Sequence, residues 1–417
     1  MSGSRRAGRS ASGRAAPARV VLAKNLARSI RRGHPWIFRD ALRTPPALPD
    51  GAPVTVTAPD GQPLARGFWD ARSTIAVRVL EVAAAGERAA EPNVVETRVA
   101  ESIAASIDRR LAFIDRRQTD AFRLIHGEAD RLPGVHADLY GAAISIRFDG
   151  RGARAFYLDG VGLADVMVAA ARERGIAVTS VIERGQRGEG EVARALAGDL
   201  PDSEIEVREN GLRFGVDLAR GQKGGLFLDQ RDNRALVGTL ARGRRVLNLF
   251  GYTGGFSIYA AAAGAAHTTT VDVAREAIQA ARRNFERNRL PLDAAELHAE
   301  DAFAFLERAI GDRISYDLVI SDPPSFAPNR RALPAALPAY RRLHRLCASV
   351  VAPGGILCAA SCSSHVAAGA FERTIAEGAA DAGRRWQLDE MRGAAADHPV
   401  ARFFPEGDYL KFAVGRV

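Results

Sequence analysis

Lysine is almost absent from this 417-residue chain, which has three lysines among its 58 basic residues. Cysteine is equally rare, and the three residues Cys347, Cys358 and Cys362 lie in one late stretch, which excludes a disulfide framework and favours a reducing compartment. No uncharged apolar run of about 18 residues occurs, so no membrane-spanning helix is expected. The first residues lack the apolar core of a signal peptide, and we therefore expect a cytoplasmic protein.

Acidic residues are too few to balance the basic ones. The chain has 49 acidic residues and a net charge of +9. A compositional bias explains why arginine replaces lysine, but it does not explain the basic excess, which favours a polyanionic partner, most simply RNA. Residues 1–17 contain four arginines and no acid. We interpret them as a disordered basic arm that contacts RNA, with an organelle transit peptide as the alternative.

The rest of the chain divides into three blocks. Residues 18–86 alternate short apolar runs with Pro and Gly turns, which predicts a small β-rich module. Residues 83–92 have the composition of a linker, and residues 93–200 mix helical and strand patterns in an α+β block. Residues 203–417 alternate strand and helix, which predicts a doubly wound α/β fold with a parallel sheet.

A glycine-rich turn in residues 246–256 is the strongest functional signal. An apolar run breaks at Gly251, Gly254 and Gly255 and opens an alanine-rich helix, so the G-x-G-x-x-G spacing that cradles a dinucleotide is absent. Asp272 follows at the end of the next apolar run, where a carboxylate can bind two ribose hydroxyls. The combination favours S-adenosylmethionine over NAD. The predicted cofactor contacts of the turn are Asn248, Phe250, Gly251, Tyr252, Thr253 and Gly254.

Two further aspartates end the next two strands. Asp301 can reach an adenine amino group, or it can simply cap the following helix, and both roles are compatible. Asp322 opens the sequence Asp-Pro-Pro-Ser, whose prolines stop the strand and hold the carboxylate over the reactive end of the cofactor. A plain strand terminator is the alternative. Ser325 stands where an amino-group methyltransferase would carry an aromatic residue, which weakens that activity without excluding it.

Cys362 is the candidate nucleophile. It follows the fifth apolar strand, between serines, and is predicted to face the same crevice as Asp322. A thiolate there could attack carbon 6 of a pyrimidine and make carbon 5 nucleophilic enough to accept a methyl group. Cys358 lies inside the apolar run and is interpreted as inert core, and the alternative for Cys362 is an ordinary turn residue.

Several polar residues have weaker signals. Gln230 and Arg231 are predicted to contact the cofactor from the loop before the glycine turn, and Lys223 to contact RNA or cofactor phosphates, although Asp229 in that loop is also a plausible helix cap. Arg31, Arg32 and Trp36 could dock on RNA by charge and stacking, with a core tryptophan beside solvated charges as an equal alternative. His126 and His398 have no spaced partners, so no metal site is predicted.

Taken in order, these segments resemble a known family over nearly the whole chain after the basic arm. The family is the class I S-adenosylmethionine-dependent cytosine-carbon-5 methyltransferases of large-subunit ribosomal RNA that carry an N-terminal PUA domain. The segments that carry the resemblance are His34–Phe38, Phe122–Ile125 with Leu132–Gly134, Gly225–Arg231, Asn248–Phe256, Asp322–Phe326, Ser361–Ser363 and Asp397–Val400 with Pro405–Gly407.

The resemblance implies a PUA module, a middle α+β domain and a Rossmann-like seven-stranded methyltransferase domain. It also implies Cys362 as nucleophile, with Asp322 at the cytosine ring nitrogen or amino group. No second cysteine stands beside Pro323, so the base that removes the proton from carbon 5 stays unassigned. Amino-group methylation of guanine or adenine and a non-catalytic RNA-binding assembly factor are the rival functions. The oligomeric state is left open, a homodimer included.

Overall fold

The computed structural model describes residues 17–43, 47–84, 93–185, 193–219 and 226–417. The basic arm, apart from Pro17, and most of the predicted linker lie outside these residues. The described chain forms three large sheets and one isolated hairpin.

The first sheet has five strands in the order β1-β3-β4-β5-β2. Its strands are mostly antiparallel, and only β1 pairs in parallel, with β3. It encloses a small apolar core around Val56, Ile37 and Trp69. The elements are β1 (Ala18–Val21), helix α1 (Ala27–Arg31), β2 (Trp36–Phe38), β3 (Pro53–Thr57), β4 (Pro63–Trp69) and β5 (Ile75–Val82).

The second sheet also has five strands, in the order β10-β9-β8-β7-β6. Helices α2 and α4 pack on it and share its core, because α2 buries Ile103 and Ile107 and α4 buries Met167 against Leu139. The elements are α2 (Asn93–Leu111), β6 (Ala121–His126), β7 (Val135–Tyr140), β8 (Ala143–Phe148), α3 (Arg151–Arg154), a π-helix (Ala155–Val161), α4 (Leu163–Glu173), β9 (Ser180–Arg184) and β10 (Ala193–Ala197).

A hairpin separates the second sheet from the third. Its strands β11 (Ile205–Glu209) and β12 (Leu212–Val216) join through Asn210 and Gly211, whose φ angles are +50° and +82°. Positive φ at both central residues is the conformation of a tight hairpin turn, which an Asn-Gly pair adopts at low cost. The hairpin buries Phe214 against Tyr259 and Phe285 of the following domain.

The third sheet has seven strands in the order β15-β14-β13-β16-β17-β19-β18. Strands β13 to β17 are parallel, and β19 runs antiparallel between β17 and β18. The strands are β13 (Arg245–Leu249), β14 (His267–Asp272), β15 (Ala295–Ala299), β16 (Tyr316–Ser321), β17 (Val351–Ser361), β18 (Gln387–Arg392) and β19 (Lys411–Arg416). The helices are α5 (Arg231–Ala241), α6 (Gly255–Ala262), α7 (Arg275–Arg287), α8 (Ala302–Gly311), α9 (Leu333–Val350) and α10 (Ala368–Asp381).

The central strands of this sheet are buried on both faces, and β13, β16 and β17 are correspondingly rich in apolar residues. Along β13, Val246 contributes to the core under α5 and α6, and Leu247 contributes to the core under α8, α9 and α10. The doubly wound α/β prediction, with its seven-stranded sheet and preceding β-rich and α+β parts, is confirmed. The exact domain boundaries at 86, 93, 200 and 203 stay a prediction. Within the described residues, no helix is long and apolar enough to cross a membrane.

Candidate active site

The turn after β13 has an unusual backbone. Phe250 and Tyr252 have φ angles of +56° and +47°, and Gly254 has +81°. Such angles cost a non-glycine residue about 1 kcal/mol or more, so the surrounding structure must hold them in place. It does so through Gly251 N, which donates to the Val271 carbonyl at 2.9 Å, and Tyr252 N, which donates to Asp272 Oδ2 at 2.9 Å. The turn is therefore fixed to the end of β14 before any ligand binds.

The three glycines of the turn are required by packing within the protein. A Cβ at Gly251 would lie 2.5 Å from Thr270 Cγ2, and one at Gly255 would lie 2.9 Å from Arg234 Cδ. A Cβ at Gly254 would lie 3.0 Å from Ala281 Cβ. From the sequence, the glycine pair was attributed to close approach of a ligand, and the structure gives it this additional reason.

Asp272 ends β14 and faces the turn. Besides Tyr252 N, it accepts a hydrogen bond from Ala274 N at 2.9 Å. Two carboxylate oxygens offer about four acceptor positions, so capacity remains for a ligand hydroxyl. The next residue, Val273, is 74% exposed, an apolar side chain left uncovered at the carboxyl end of a buried strand. Val273 was not predicted from the sequence, because only the fold shows that it is exposed.

Asp301 is the N-cap of α8. Its Oδ1 accepts hydrogen bonds from Phe303 N and Ala304 N, both at 3.0 Å. The capping role considered from the sequence is therefore present. The residue is exposed and follows β15, the strand beside β14, so its carboxylate lies along the same edge of the sheet as Asp272.

Asp322 and Gln230 are in direct contact. Gln230 Nε2 donates to Asp322 Oδ2 at 3.0 Å, and Gln230 Oε1 in turn accepts from Asn233 Nδ2 at 2.6 Å. The loop before α5 therefore supports the carboxylate from the other side of the crevice. Nearby, the buried Ser325 Oγ has no hydrogen-bond partner in the described part of the chain. A buried hydroxyl without a partner costs free energy, which a ligand hydrogen bond would recover.

Cys362 differs from the other two cysteines in its exposure. Cys347 and Cys358 are fully buried, and burial raises the pKa of the Cys347 thiol to about 12 and that of Cys358 still further. Cys362 is only half-buried at the end of β17. Burial raises the pKa of Tyr340, and the charges of both Cys362 and Asp322 act in the same direction. The thiol and the carboxylate follow neighbouring strands, β17 and β16.

Lys411 is a buried cation beside Cys362. It is opposite Ser361 in the pairing of β19 with β17, and its Nζ donates to the Ser363 carbonyl, so its contacts bracket Cys362. A second hydrogen bond goes to the Tyr409 carbonyl at 2.8 Å. Burial lowers the Lys411 pKa to about 8, against the opposing charges of Asp408 and Cys362. Lys411 was not predicted from the sequence, although a lysine in a chain that uses arginine almost everywhere was a signal.

Other predicted residues have internal partners. Arg231 is buried, and its guanidinium binds Asp232 and Asp397, both at 3.0 Å, so its described contacts are with the protein's own carboxylates. Asn248 is buried too, and its Nδ2 donates to Ser257 Oγ at 3.0 Å. Thr253 is buried and its carbonyl accepts from Asn284 Nδ2 at 2.9 Å. These contacts hold the loop and turn together, and Lys223 lies outside the described residues.

The predicted RNA contacts of the first sheet divide into two kinds. Arg31 and Arg32 are exposed at the end of α1. Trp36 instead donates its Nε1–H to Glu128 Oε1 of the second sheet at 2.7 Å, and its ring lies edge-on to Phe404 with centroids 4.6 Å apart. These contacts favour the packed alternative for Trp36 over stacking on a base.

The crevice suits an adenosyl group with a cationic sulfur better than a dinucleotide. Carboxylates at Asp272 and Asp301 suit ribose hydroxyls and an adenine amino group, and exposed Val273 suits the face of a base. Asp322 adds a negative charge at the end of the strand next to the one that precedes Cys362. Among the described residues, no group of three or more His, Cys, Asp or Glu side chains is placed to hold a metal ion.

Comparisons with known proteins agree with this geometry. A family model described as S-adenosylmethionine-dependent methyltransferase matches residues 166–389, and a PUA-like domain model matches residues 20–81. Ribosomal RNA large subunit methyltransferase I from Shewanella amazonensis is 35% identical over 401 residues, which cover 96% of this chain and 99% of that protein.

Solved structures give the same fold. A structure from Streptococcus mutans described as a SAM-dependent methyltransferase has a TM-score of 0.81 at 24% identity and covers 96% of this chain and 100% of its own. Another, complexed with SAH, has the same TM-score, identity and coverage. The chain therefore belongs to the S-adenosylmethionine-dependent methyltransferases, in the PUA-domain-bearing family that includes ribosomal RNA large subunit methyltransferase I.

Proposed function

We propose that this enzyme transfers a methyl group to carbon 5 of a cytosine in large-subunit ribosomal RNA, with Cys362 as the nucleophile. The observation that carries the proposal is the position of Cys362: it is the half-buried thiol of the three, it lies beside the Lys411 ammonium, and it follows the strand that pairs with the strand before Asp322. A nearby cation favours the reactive thiolate over the thiol.

The residues of the crevice have distinct roles in the proposed reaction. The Cys362 thiolate forms a carbon–sulfur bond to carbon 6 of the ring, and the electron pair of the 5,6 double bond moves so that carbon 5 becomes nucleophilic. Asp322 hydrogen-bonds the ring nitrogen or amino group and orients the base. After methylation, a base removes the carbon 5 proton, the double bond re-forms and the thiolate leaves.

S-adenosylmethionine supplies the methyl group. Asp272 would hold its ribose hydroxyls, Asp301 its adenine amino group, and the backbone of Phe250, Gly251 and Tyr252 would line one side. Gln230 positions Asp322 through the 3.0 Å hydrogen bond between them. Val273 joins this set as an apolar surface for the adenine ring.

The choice of RNA rests on the names of the relatives and on charge. The curated relatives are named for a large-subunit ribosomal RNA activity, and the net charge of +9 suits a polyanion. Arg31 and Arg32 on α1 are the proposed phosphate contacts of the PUA-like module, and Lys223 a further one. A target base within structured RNA must leave its stack to reach Cys362, which costs a few kcal/mol. We propose that the enzyme acts in the cytoplasm.

The decisive experiment identifies the product and the nucleophile together. The purified full chain is incubated with S-adenosylmethionine and unmodified large-subunit ribosomal RNA, and the RNA is digested to nucleosides for mass spectrometry. Cys362→Ala is run beside the wild type, and Cys358→Ala serves as a matched control, since it removes a buried thiol from the same strand.

We expect 5-methylcytosine from the wild type and from Cys358→Ala, and none from Cys362→Ala. A different methylated nucleoside, formed equally by Cys362→Ala, would refute the thiolate mechanism and point to amino-group methylation at Asp322-Pro-Pro-Ser. If Cys362→Ala still forms 5-methylcytosine, the product assignment stands and Cys362 is not the nucleophile.

A further inference from the structure

A second cavity opens between the second and third sheets. Its volume is about 300 Å³, at the lower end of the range for small-ligand sites. One wall comes from the second sheet and includes Arg123, His136 and Arg147. The other wall comes from the methyltransferase part of the chain and includes Asp229 and Tyr409.

Two stretches of chain connect the cavity with the reaction centre. Asp229 precedes Gln230, which binds Asp322 at 3.0 Å. Tyr409 lies two residues before Lys411 and accepts the Lys411 hydrogen bond through its carbonyl at 2.8 Å. Tyr409 Oη donates to Asp229 Oδ2 at 2.6 Å and so ties the two stretches together. The wall of the cavity is therefore continuous along the chain with Gln230 and Lys411 of the crevice.

The carboxylates of the cavity already have partners. Asp138 binds Arg123 at 2.6 Å, Asp149 binds His136 at 3.0 Å, and Asp229 accepts from Tyr409. Arg147 is half-buried and, within the described residues, its guanidinium makes no hydrogen bond or ion pair. Its charge lowers the pKa of nearby Asp149, which His136 already binds. A guanidinium that faces a cavity without a direct partner is a site for an anion.

Three histidines, His126, His136 and His398, also line the cavity. The rings of His126 and His136 have centroids 5.5 Å apart, and those of His126 and His398 are 5.1 Å apart. Burial and the neighbouring Arg123 hold the pKa of His126 well below its usual value, so this ring is neutral near pH 7. The neutral His126 ring accepts a hydrogen bond from Arg123 Nη1 through Nδ1 at 2.8 Å, so its Nε2–H and its aromatic face are what it offers to an unstacked base.

We propose that this cavity binds one nucleotide of the substrate RNA adjacent to the target base, with its phosphate on Arg147 and its base against the histidine cluster. The proposal rests on the proposed function for the identity of the substrate. In this proposal, the interface between the second and third sheets holds the RNA strand on one side of the flipped base, and the crevice holds the base itself.

The test compares RNA binding by full-length variants over a range of salt concentrations. The probe is unmodified large-subunit ribosomal RNA, and the variants are Arg147→Gln, Arg147→Lys and Arg117→Gln. Arg117 is the matched control, because it removes the same charge from the same block but its side chain is 88% exposed. The slope of log affinity against log salt counts phosphate contacts, at about 0.7 to 1 per contact.

We expect Arg147→Gln to lower the slope by about 0.7 to 1, with Arg147→Lys and Arg117→Gln close to the wild type. Affinity for S-adenosylmethionine should be unchanged in all three, which also verifies folding. A wild-type slope in Arg147→Gln, or an equal loss in Arg117→Gln, would overturn the proposal. Binding is measured separately from the product, so failure of the cytosine assignment would leave this comparison intact.

Discussion

At the scale of single residues, the site depends on one buried cation. Lys411 is 5% exposed, and burial lowers its pKa from the ordinary 10.5 to about 8. Near pH 7 it is still mostly protonated, so it provides positive charge beside Cys362 where that charge favours the thiolate. Arginine, which the chain uses elsewhere, is longer and planar and would not fit between the Ser363 and Tyr409 carbonyls in the same way.

We predict that Lys411→Met shifts the acid limb of the kcat/KM profile to higher pH. Without the ammonium, a larger fraction of Cys362 stays protonated at neutral pH, so the rate falls most below pH 8. Above about pH 8 the wild-type lysine itself loses its proton, and the difference between the two enzymes should shrink. The measurement is methyl transfer to RNA between pH 6 and 9.

A purely structural role for Lys411 would lower the rate equally at every pH. Lys411→Arg is the companion variant, because it retains the charge with altered shape. If Lys411→Arg restores the acid limb of the profile while kcat stays below the wild-type value, the effect of the charge is distinguished from the effect of the side chain's shape. A pH profile of Lys411→Met that is parallel to the wild type would contradict the prediction.

At the scale of elements, the glycine turn is the most constrained segment of the site. Gly254 has a φ of +81° and its absent Cβ would lie 3.0 Å from Ala281 Cβ of α7. Gly264 lies just after α6, the helix that begins next to Gly254. It has a φ of +88°, but a Cβ added there would meet nothing within 4 Å. A comparison of alanine variants at these two positions therefore distinguishes the effect of backbone strain from the effect of packing.

We predict that Gly264→Ala costs about 1 kcal/mol of unfolding free energy, from backbone strain alone. Gly254→Ala should cost about 1–3 kcal/mol more, because the methyl group must displace α7. It should also weaken S-adenosylmethionine binding, whereas Gly264→Ala should not. Urea denaturation and isothermal titration calorimetry measure the two effects. If the two variants have equal unfolding free energies, α7 moves to accommodate the added methyl group without loss of stability.

The sequence predicted the elements that the core determines. The alternation of strands and helices in residues 203–417 was predicted, because buried central strands such as β13 and β16 are rich in apolar residues. Strands β2 and β10 have only three and five residues and lie at sheet edges. The β11–β12 hairpin was not predicted, although Asn210-Gly211 between strands that alternate apolar and charged residues is a strong hairpin signal.

The residues of the site also divide into those that local sequence predicts and those whose contacts depend on the fold. Asp272, Asp322 and Cys362 were predicted because they come at the ends of strands, and strand ends of a parallel sheet share one edge. Arg231 was predicted to contact the cofactor, and Trp36 either RNA or the core; the structure gives them partners from distant parts of the chain, at Asp397 and Glu128. Such long-range pairings leave no local pattern in a sequence.

At the scale of the whole molecule, hydrogen bonds of buried charged side chains join the parts of the chain that carry the second and third sheets. Arg110 of α2 is fully buried and binds Asp130 through two hydrogen bonds of 2.7 Å. Its guanidinium also donates to the Asp397 carbonyl at 2.8 Å, and the Asp397 carboxylate binds Arg231 at 3.0 Å. The cavity and the active-site crevice therefore share a framework that is held in position by charges removed from solvent.

We predict that Arg110→Met destabilises the protein by about 3–5 kcal/mol, because it leaves the buried Asp130 carboxylate without its bidentate partner. Arg109→Met is the matched control: Arg109 is the adjacent residue and binds the same Asp130 at 2.7 Å, but its side chain is 49% exposed. Its loss should cost less than about 1 kcal/mol. Since Arg110 also bridges two sheets, scanning calorimetry should show its variant unfolding in two transitions where the wild type and Arg109→Met show one. A single transition of Arg110→Met at the wild-type temperature would mean that apolar packing alone couples the sheets, and the charged framework would then have no part in holding the cavity against the crevice.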